Sequence, residues 1–454
     1  MKLRVNLRKS FRSSRKIHLS VCVALLSWTI QATAQTAKVV TSQESNSPAA
    51  LSVEDAIRIG LRKNPQVIAG LAGVASSLAT YRALGVPVPI TIGASQVQGT
   101  STAPTLTGDT VDTIVDLSGT LDTSGQRRYQ AAGANATYKA TNFQFFETVV
   151  SLEQQIRDGY WSLAAAQAQT QIAETSLKEA QRVYDLTVTQ EKAGASPKGD
   201  VIRSSIDVAN AKQALLTAQG ADRSALIAFN TLLARPPQEQ AHLADNLAED
   251  SASIPHIDLP GIQELNKAAS QGRPLLKASD EQVHAATYAI RQAESSRLPD
   301  LNILYQRSVR DQVDALTLTI SFPLFDFGGI GHTIRAAKES RKQAEAQKTQ
   351  AEQQVAQQVA QAHSDLATAI QAASSYRAEI LDPSVTLLGI AKLGYQQGAT
   401  GILPVIDAES TIRNARVGYI GSLLAIYKAQ DELLAAVGKI SASISGQLRV
   451  ESRK

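Results

Sequence analysis

Hydrophobic positions follow two periods along this chain, one typical of strands and one typical of helices. Alternation with period two over about ten residues predicts half-buried strands. Four such stretches occur, with apolar positions at Val86, Val88, Ile90, Ile92 and Ala94; Val111, Val115 and Leu117; Leu301, Ile303 and Tyr305; and Leu316, Leu318, Ile320 and Phe322. A polar loop joins the members of each pair, which predicts two β-hairpins, at about 86–121 and about 299–323.

Helical spacing dominates the rest of the chain. An opening helix is predicted from Leu51 to about Leu84 and its counterpart from about Leu259 to Arg297. Ser52, followed three residues later by Asp55, is a capping signal for the first. Pro65 and Pro274 are expected to bend these helices or to divide each into two.

Two much longer helices follow the hairpins, and each is followed by a returning helix. The predicted bounds are Gly125–Ala193 and Gly329–Tyr395 for the long helices, and about Gly199–Ala234 and Leu403–Val437 for the returning ones. At 1.5 Å per residue, each long helix extends about 100 Å. Pro383 predicts a kink in the second. The thin, alanine-rich seam of that helix also fits a dimeric coiled coil, but the paired returning helices favour antiparallel helical hairpins.

An internal repeat organises these elements. The segments Asp122-Thr-Ser-Gly125 and Asp326-Phe-Gly-Gly329 match at an offset of 204 residues, and so do Gly194-Ala-Ser196 and Gly398-Ala-Thr400. The predicted organisation is a signal peptide at 1–34, a flexible segment at 35–50, a first repeat at 51–245, a linker at 246–258, a second repeat at 259–440 and a tail at 441–454. A helical hairpin is expected at about 125–235 in the first repeat and at about 329–438 in the second.

Charge is unevenly distributed along the chain. Of 45 Lys and Arg residues, seven lie within residues 1–34, which contain no acidic residue. The formal charge of +4 therefore becomes −3 for the remainder, with 38 basic and 41 acidic residues. The basic start, a short apolar run and Ala32-Thr-Ala34 predict a secretory signal peptide. A membrane anchor helix and lipid attachment at Cys22 remain alternatives. Cleavage after Ala34 would leave no cysteine.

The four predicted strands impose a requirement on assembly. Their length suits an outer-membrane barrel. A sheet of four strands has two open edges, and open edges do not persist in lipid. Two chains would close eight strands and three chains twelve, and these residues alone do not choose between them. Hairpins packed on a soluble helical body are the alternative.

Catalytic signals are lacking in the sequence. Five histidines beyond residue 34 are dispersed without metal-ligand spacing, and no nucleophile elbow, zinc-protease or dinucleotide motif occurs. No basic run with interleaved aromatics follows residue 34. We therefore expect no enzyme activity, no cofactor, no metal site and no nucleic-acid partner.

Three segments make the chain resemble the TolC-type outer membrane efflux proteins over nearly all of its mature length. They are LSVEDAIRIGLRKNP at 51–65, PLFDFGG at 323–329, and YQQG at 395–398 followed by VIDAE at 405–409. The resemblance implies a mainly α fold with two structural repeats. Three chains would share a twelve-stranded transmembrane barrel and an α-helical tunnel through the periplasm of a Gram-negative cell.

The resemblance also implies a function and partners. Such a protein is a passive exit duct of a tripartite efflux or type I secretion system. It is Sec-exported, sits in outer membrane lipid, and docks onto a periplasmic adaptor and an inner-membrane pump. A periplasmic coiled-coil adaptor or scaffold without a barrel is the alternative. The cargo and the class of pump are not readable from the sequence.

Site residues carry over from the family by position. Tyr395, Asp407 and Asp200 match residues at the closed periplasmic end, whereas Thr400 and Pro404 stand where a gating arginine and a further aspartate can occur. Seam packing for Tyr395 and ordinary first-turn helix charge for the aspartates are the alternatives. The expected adaptor-docking tips are Gly194, Ala195, Ser196, Gly398, Ala399 and Thr400. The expected strand–helix junctions are marked by Pro89, Asp122, Gly125, Pro299, Pro323, Asp326 and Gly329.

Overall fold

The computed structural model describes residues 50–100, 109–248, 254–310, 312–321 and 325–439. The predicted signal peptide, nearly all of the 35–50 segment, the 441–454 tail and the junction residue Pro323 lie outside these ranges.

Each half of the described chain has the same order of elements: two short helices, two strands, a long helix and a returning helix. The first half contains α1 (Val53–Lys63), α2 (Pro65–Gly85), β1 (Thr91–Thr100), β2 (Asp109–Leu121), α3 (Gln126–Lys192) and α4 (Lys198–Leu232). The second contains α5 (Ile262–Gly272), α6 (Pro274–Ser295), β3 (Asp300–Ser308), β4 (Asp314–Ser321), α7 (Gly329–Tyr376), α8 (Asp382–Gln396) and α9 (Leu403–Val437).

Both opening helices are divided at the expected prolines. The Ser52 hydroxyl accepts the backbone N–H of Asp55 at 3.2 Å and caps α1. Asn64, before Pro65, accepts the Gln66 N–H and donates its amide to the Leu232 carbonyl at the end of α4. Arg273, before Pro274, donates to the Ala435 carbonyl at the end of α9. In each repeat, the residue before the proline therefore ties the opening helices to the returning helix.

The first strand begins later than its alternation predicts. β1 starts at Thr91, so Val86, Val88 and Ile90 precede it, and Pro89 lies two residues before the strand instead of at its end. Pro87 and Pro89 lack the N–H groups that a strand ladder requires, which explains the late start. Pro299, in contrast, directly precedes β3, and its carbonyl accepts the Thr123 hydroxyl.

The four strands form one antiparallel sheet in the order β1-β2-β3-β4. Register places Ile92 opposite Leu117, Leu117 opposite Tyr305, and Tyr305 opposite Leu316. The face that carries these side chains also includes Leu301, Ile303, Leu318 and Ile320. The other face is mostly polar, and carries Thr91, Ser118, Thr120, Asn302, Gln306, Thr317 and Thr319 together with Val97, Ile114 and Leu304. The sheet therefore has one apolar and one mostly polar face, and its apolar face is largely exposed in the single chain.

The long helices differ in continuity. α3 runs unbroken for 67 residues. The predicted second helix is interrupted, because α7 ends at Tyr376 and a five-residue π-helical turn, Arg377–Leu381, separates it from α8. Pro383 lies in the first turn of α8, where its missing N–H is tolerated. The sequence predicts a kink at Pro383, and the structure has a π turn that ends just before the turn containing this proline.

Each repeat has its own apolar core between opening, long and returning helices. Ile57, Ile156, Tyr160, Phe229 and Leu233 form the centre of the first. Leu265, Val359, Leu366, Ile426 and Leu433 form that of the second. A third cluster joins the repeats, with Ala164, Ala168 and Ile172 of α3 packed against Ile420 of α9.

One described helix, α2, is long and apolar enough to cross a membrane by length and composition, with a mean hydropathy of 1.4 in its most apolar window. α2 packs along α3, and a Cβ at Gly70 would lie within 2.6 Å of the Phe145 ring. Its small residues therefore allow close helix–helix approach.

Carboxylates are buried where α3 meets α9. Asp431 of α9 lies 3.7 Å from the Arg157 guanidinium, which also pairs with Glu153 at 3.2 Å. Burial raises the pKa of Asp431 to about 7, an increase that Arg157 opposes and that Asp158 and Glu153 reinforce. Burial likewise raises the pKa of Asp158 to about 6, opposed by Lys428 and reinforced by Glu432. The junction thus binds protons more tightly when folded than when unfolded.

We expect this junction to weaken as the pH rises. Its stability is complete below about pH 4, the ordinary carboxyl range, and falls as the pH increases through about 6 and 7, by at most about 1.4 kcal/mol per pH unit for each group. Hydrogen exchange of α9 between pH 5 and 8, corrected for intrinsic rates, measures the effect. Asp431→Asn should flatten the profile, whereas Asp185→Asn, at an exposed position of α3, should not. An unchanged slope in Asp431→Asn would contradict the assignment.

Candidate functional site

Both helical hairpins turn through the same backbone motif. Gly194 has φ 73° and Gly398 has φ 68°, in the left-handed region. In the first hairpin, the N–H of Gly194 donates to Glu191 O and that of Ala195 to Gln190 O. In the second, the N–H of Gly398 donates to Tyr395 O and that of Ala399 to Gly394 O. These pairs define a Schellman cap at each tip, where glycine is needed for its backbone conformation.

The tips present small, exposed groups. Gly194, Ala195, Gly398, Ala399 and Thr400 are exposed, and Ser196 is half-buried. A Cβ added at Gly194 or Gly398 would have no atom within 4 Å. The Ser196 hydroxyl donates to Asp200 at 3.3 Å. The predicted docking residues therefore lie together at each tip, with space around them.

Tyr395 connects the two repeats just above the tips. Its hydroxyl donates to the Gln190 side chain near the end of α3. Burial raises the pKa of Tyr395, the Thr187 hydroxyl opposes this, and the nearby Asp200 carboxylate reinforces it. The structure thus brings Tyr395 and Asp200 near each other.

Asp200 and Asp407 lie in different surroundings. Asp200 is buried, and its carboxylate pairs with Arg203 at 3.3 Å. Asp407 is exposed on α9, where its carbonyl accepts the Thr411 hydroxyl. Within one chain, Tyr395 and the buried Asp200 therefore lie near each other, whereas Asp407 is an exposed carboxylate on another helix.

A charged network one turn above Tyr395 was not predicted from the sequence. Lys392 of α8 lies 3.2 Å from Glu409 of α9 and 3.7 Å from Glu179 of α3. Burial raises the pKa of Glu409, opposed by Lys392. Burial also raises the pKa of Asp207 of α4, opposed by Arg413 of α9. The only sequence signal for Lys392 is its position three residues before Tyr395, which places both on one side of α8.

The network borders a groove between the two hairpins. The groove has a volume of about 230 Å³ and is lined in part by Val183, Leu186, Lys392, Tyr395, Ile402 and Val405. Glu179, Arg182 and Glu409 also line it, so apolar and charged side chains share its wall. Among the described residues, no group of three or more His, Cys, Asp or Glu side chains is arranged to hold a metal ion.

The strand–helix junctions use equivalent aspartates in slightly different ways. Asp122 accepts the N–H of Gln126 at 3.1 Å and of Arg127 at 2.8 Å, before α3. Asp326 accepts the N–H of Gly328 at 3.2 Å and of Ile330 at 2.8 Å, before α7. Desolvation raises the pKa of Asp122, but hydrogen bonds from Ser124 and Arg127 outweigh it, so the pKa lies below its ordinary value. Hydrogen bonds from Ile330 and Gly328 lower the pKa of Asp326.

Gly329 is not the conformational counterpart of Gly125. Gly125 has φ 73° and precedes α3, but in the second repeat Gly328 has φ 89°, and Gly329 is already the first residue of α7. α7 therefore begins three residues after its capping aspartate, whereas α3 begins four residues after Asp122. Phe327, beside Gly328, also has a positive φ of 48° and is exposed.

Comparison with known proteins identifies relatives over most of the chain. The family model described as Outer membrane efflux protein matches residues 58–235 and 265–439. Protein CyaE of Bordetella pertussis is 23% identical over 335 residues, covering 70% of this chain and 70% of its own. The cobalt-zinc-cadmium resistance protein CzcC of Cupriavidus metallidurans is 21% identical over 325 residues, which cover 70% of this chain and 75% of CzcC. The crystal structure of CusC superposes with a TM-score of 0.74 at 20% identity, covering 88% of this chain and 96% of that one.

We expect Gly398→Ala to loosen its tip, because an L side chain at φ 68° costs about 1–2 kcal/mol. Hydrogen exchange of the amides from Leu393 to Ile402 should accelerate by roughly 5–30-fold. Gly401→Ala is the matched control, since Gly401 lies outside the left-handed region and its added Cβ has no atom within 4 Å. Equal exchange in the two variants would show that the cap does not stabilise the tip.

Proposed function

Because the chain belongs to the outer membrane efflux protein family, we propose that it is the trimeric exit duct of a tripartite efflux or type I secretion system. In this proposal the sheet lies in the outer membrane and the helical hairpins extend into the periplasm. The duct carries its cargo passively, and the periplasmic adaptor and inner-membrane pump supply selection and energy. Sec export through the predicted signal peptide delivers the chain.

The proposal rests chiefly on the exposed apolar face of the sheet and on its two edges, which are unpaired within the described chain. Its apolar face is exposed, its other face is mostly polar, and β1 and β4 lie at its two edges. An apolar face suits lipid, and a polar face suits a water-filled lumen. In lipid, the outer edges of β1 and β4 require partner strands, which copies of the same chain supply when β4 of one pairs with β1 of the next.

The helical edges support the same head-to-tail assembly. α4 exposes an apolar seam at heptad-related positions, Ile202, Ile206, Leu216 and Ile227. Leu387 and Ile390 form a second exposed seam on α8, with Ile380 in the π turn above. The tip-proximal part of the α4 seam, Ile202 and Ile206, and the α8 seam both lie within a few helical turns of their tips. Two different edges that pair with each other form a closed ring, and three chains would supply the family's twelve strands.

Closure of the periplasmic end is assigned to Tyr395 and Lys392. The Tyr395–Gln190 hydrogen bond and the Lys392–Glu179 ion pair hold α8 against α3, so the second hairpin must release both to move outward. Lys392 takes the place of the arginine lock that Thr400 does not provide. In the trimer, three copies of Asp407 would add a ring of negative charge that attracts cations, while Asp200 lines the first tip.

Single-channel recording tests the duct and its closure together. The wild-type chain should fractionate with outer membranes as heat-sensitive, SDS-resistant trimers and give small, cation-preferring conductances. Lys392→Met combined with Tyr395→Phe should raise the conductance several-fold, because both links between α8 and α3 are removed. Lys212→Met, at an exposed position of α4, is the control. A soluble monomer without conductance would favour the adaptor alternative.

Adaptor docking is tested at the tips with changes that avoid the glycine conformation. Ala195→Trp and Ala399→Trp should reduce co-purification of the adaptor from cross-linked native membranes by at least tenfold, since a bulky ring prevents close backbone approach. Ala195→Ser and Ala399→Ser keep the tips small and should behave as wild type. Undiminished adaptor recovery with the Trp variants would move the docking surface away from the tips.

A further inference from the structure

The strand–helix junctions expose a set of apolar side chains that the described chain leaves uncovered. Phe325 and Phe327, after β4, are 82% and 98% exposed, and Val86 and Ile90, before β1, are 56% and 70% exposed. Phe327 also adopts φ 48°, which costs free energy for a residue with a Cβ. An exposed ring held in an unfavourable conformation needs a compensating contact.

The pair Phe325 and Phe327 and the pair Val86 and Ile90 lie at the same end of the sheet. Thr91 pairs with Ser118, Leu121 with Leu301, and Asp300 with Ser321. The start of β1, the ends of β2 and β4, and the start of β3 therefore all lie at the end of the sheet from which α3 and α7 leave. Val86 and Ile90 flank one edge strand there, and Phe325 and Phe327 flank the other.

We propose that Phe325 and Phe327 of one copy pack against Val86 and Ile90 of the next copy and form an apolar clasp below the sheet. The inference rests on the proposed ring, in which β4 of one chain pairs antiparallel with β1 of its neighbour. That pairing brings the segment after β4 alongside the segment before the neighbour's β1. Both segments are apolar, and Pro87 and Pro89 hold the second in extended backbone outside the strand ladder.

The clasp explains why Phe327 is held in a left-handed backbone conformation with its phenyl ring exposed in the single chain. Burial of a phenyl ring against a neighbouring chain stabilises assembly by enough to offset its left-handed backbone. Leu298 provides a useful contrast. It is also exposed at this end of the sheet, but it precedes β3, which lies between β2 and β4 and not at an edge. In the proposed ring of chains, Leu298 therefore does not face the edge strand of a neighbouring copy.

Disulfide trapping tests the clasp directly. Cys22, the single cysteine of the sequence, precedes the predicted cleavage site, so introduced cysteines would be alone in the mature chain. Phe327→Cys with Ile90→Cys should give covalent dimers and trimers on oxidation, which persist after boiling in SDS without reductant. Phe327→Cys with Leu298→Cys is the matched control and should remain monomeric after boiling.

A second variant separates assembly from local backbone strain. Phe327→Gly relieves the left-handed backbone but removes the ring, so the chain should still fold while the trimer-to-monomer ratio in detergent falls by more than about tenfold. Phe327→Leu should retain part of the trimer. A trimer-to-monomer ratio for Phe327→Gly that equals or exceeds that of wild type would contradict the proposed clasp.

The outcomes distinguish the clasp from the duct itself. Wild-type trimers without cross-linking of the 327–90 pair would overturn the clasp and leave the proposed function standing. A fluorophore at Phe327→Cys quenched by brominated phospholipid in those trimers would show that the ring faces lipid, which also overturns it. A wild-type chain that stays monomeric would overturn both proposals.

Discussion

Hydrogen bonding at the sheet edges is the constraint on which the rest of the architecture depends. A four-stranded sheet with one apolar face satisfies its inner strands, but β1 and β4 each present an outer edge that, within the described chain, has no strand beside it. Placing that apolar face in lipid requires every edge to be paired. In the proposed assembly, repetition of the chain around an axis supplies the pairing, and the helices that leave the sheet are arranged around the same axis.

Duplication lets one set of local solutions serve twice. Both tips end in a left-handed glycine with the same pair of backbone hydrogen bonds, and each long helix is preceded by an aspartate that accepts at least one N–H of its first turn. The repeats differ in the continuity of their long helices. α3 is continuous, whereas the second long helix is interrupted by a π turn. The interrupted helix carries Tyr395 and Lys392, the residues that hold the two hairpins together near the tips.

The ionised groups at the middle of the long helices and those near the tips differ in burial. At the middle, carboxylates are buried between α3 and α9 with one guanidinium, so protonation strengthens the junction. Near the tips, Lys392 joins three helices through ion pairs that are partly exposed. Partly exposed ion pairs contribute little stability each and are screened by salt. Loss of these ion pairs would therefore remove little of the stability of the fold.

The sequence by itself determined the class of fold, because helical and strand periods, the 204-residue repeat and the tip glycines are local signals. Division at Pro65 and Pro274 and interruption near Pro383 followed from the chemistry of proline. Two boundaries needed the structure although their causes are local: β1 starts only after Pro87 and Pro89, and Gly328 instead of Gly329 takes the left-handed conformation before α7. Only the tertiary structure decided the Lys392 network, which depends on carboxylates of two other helices. Residues far apart in sequence create those ion pairs, so no local pattern encodes them.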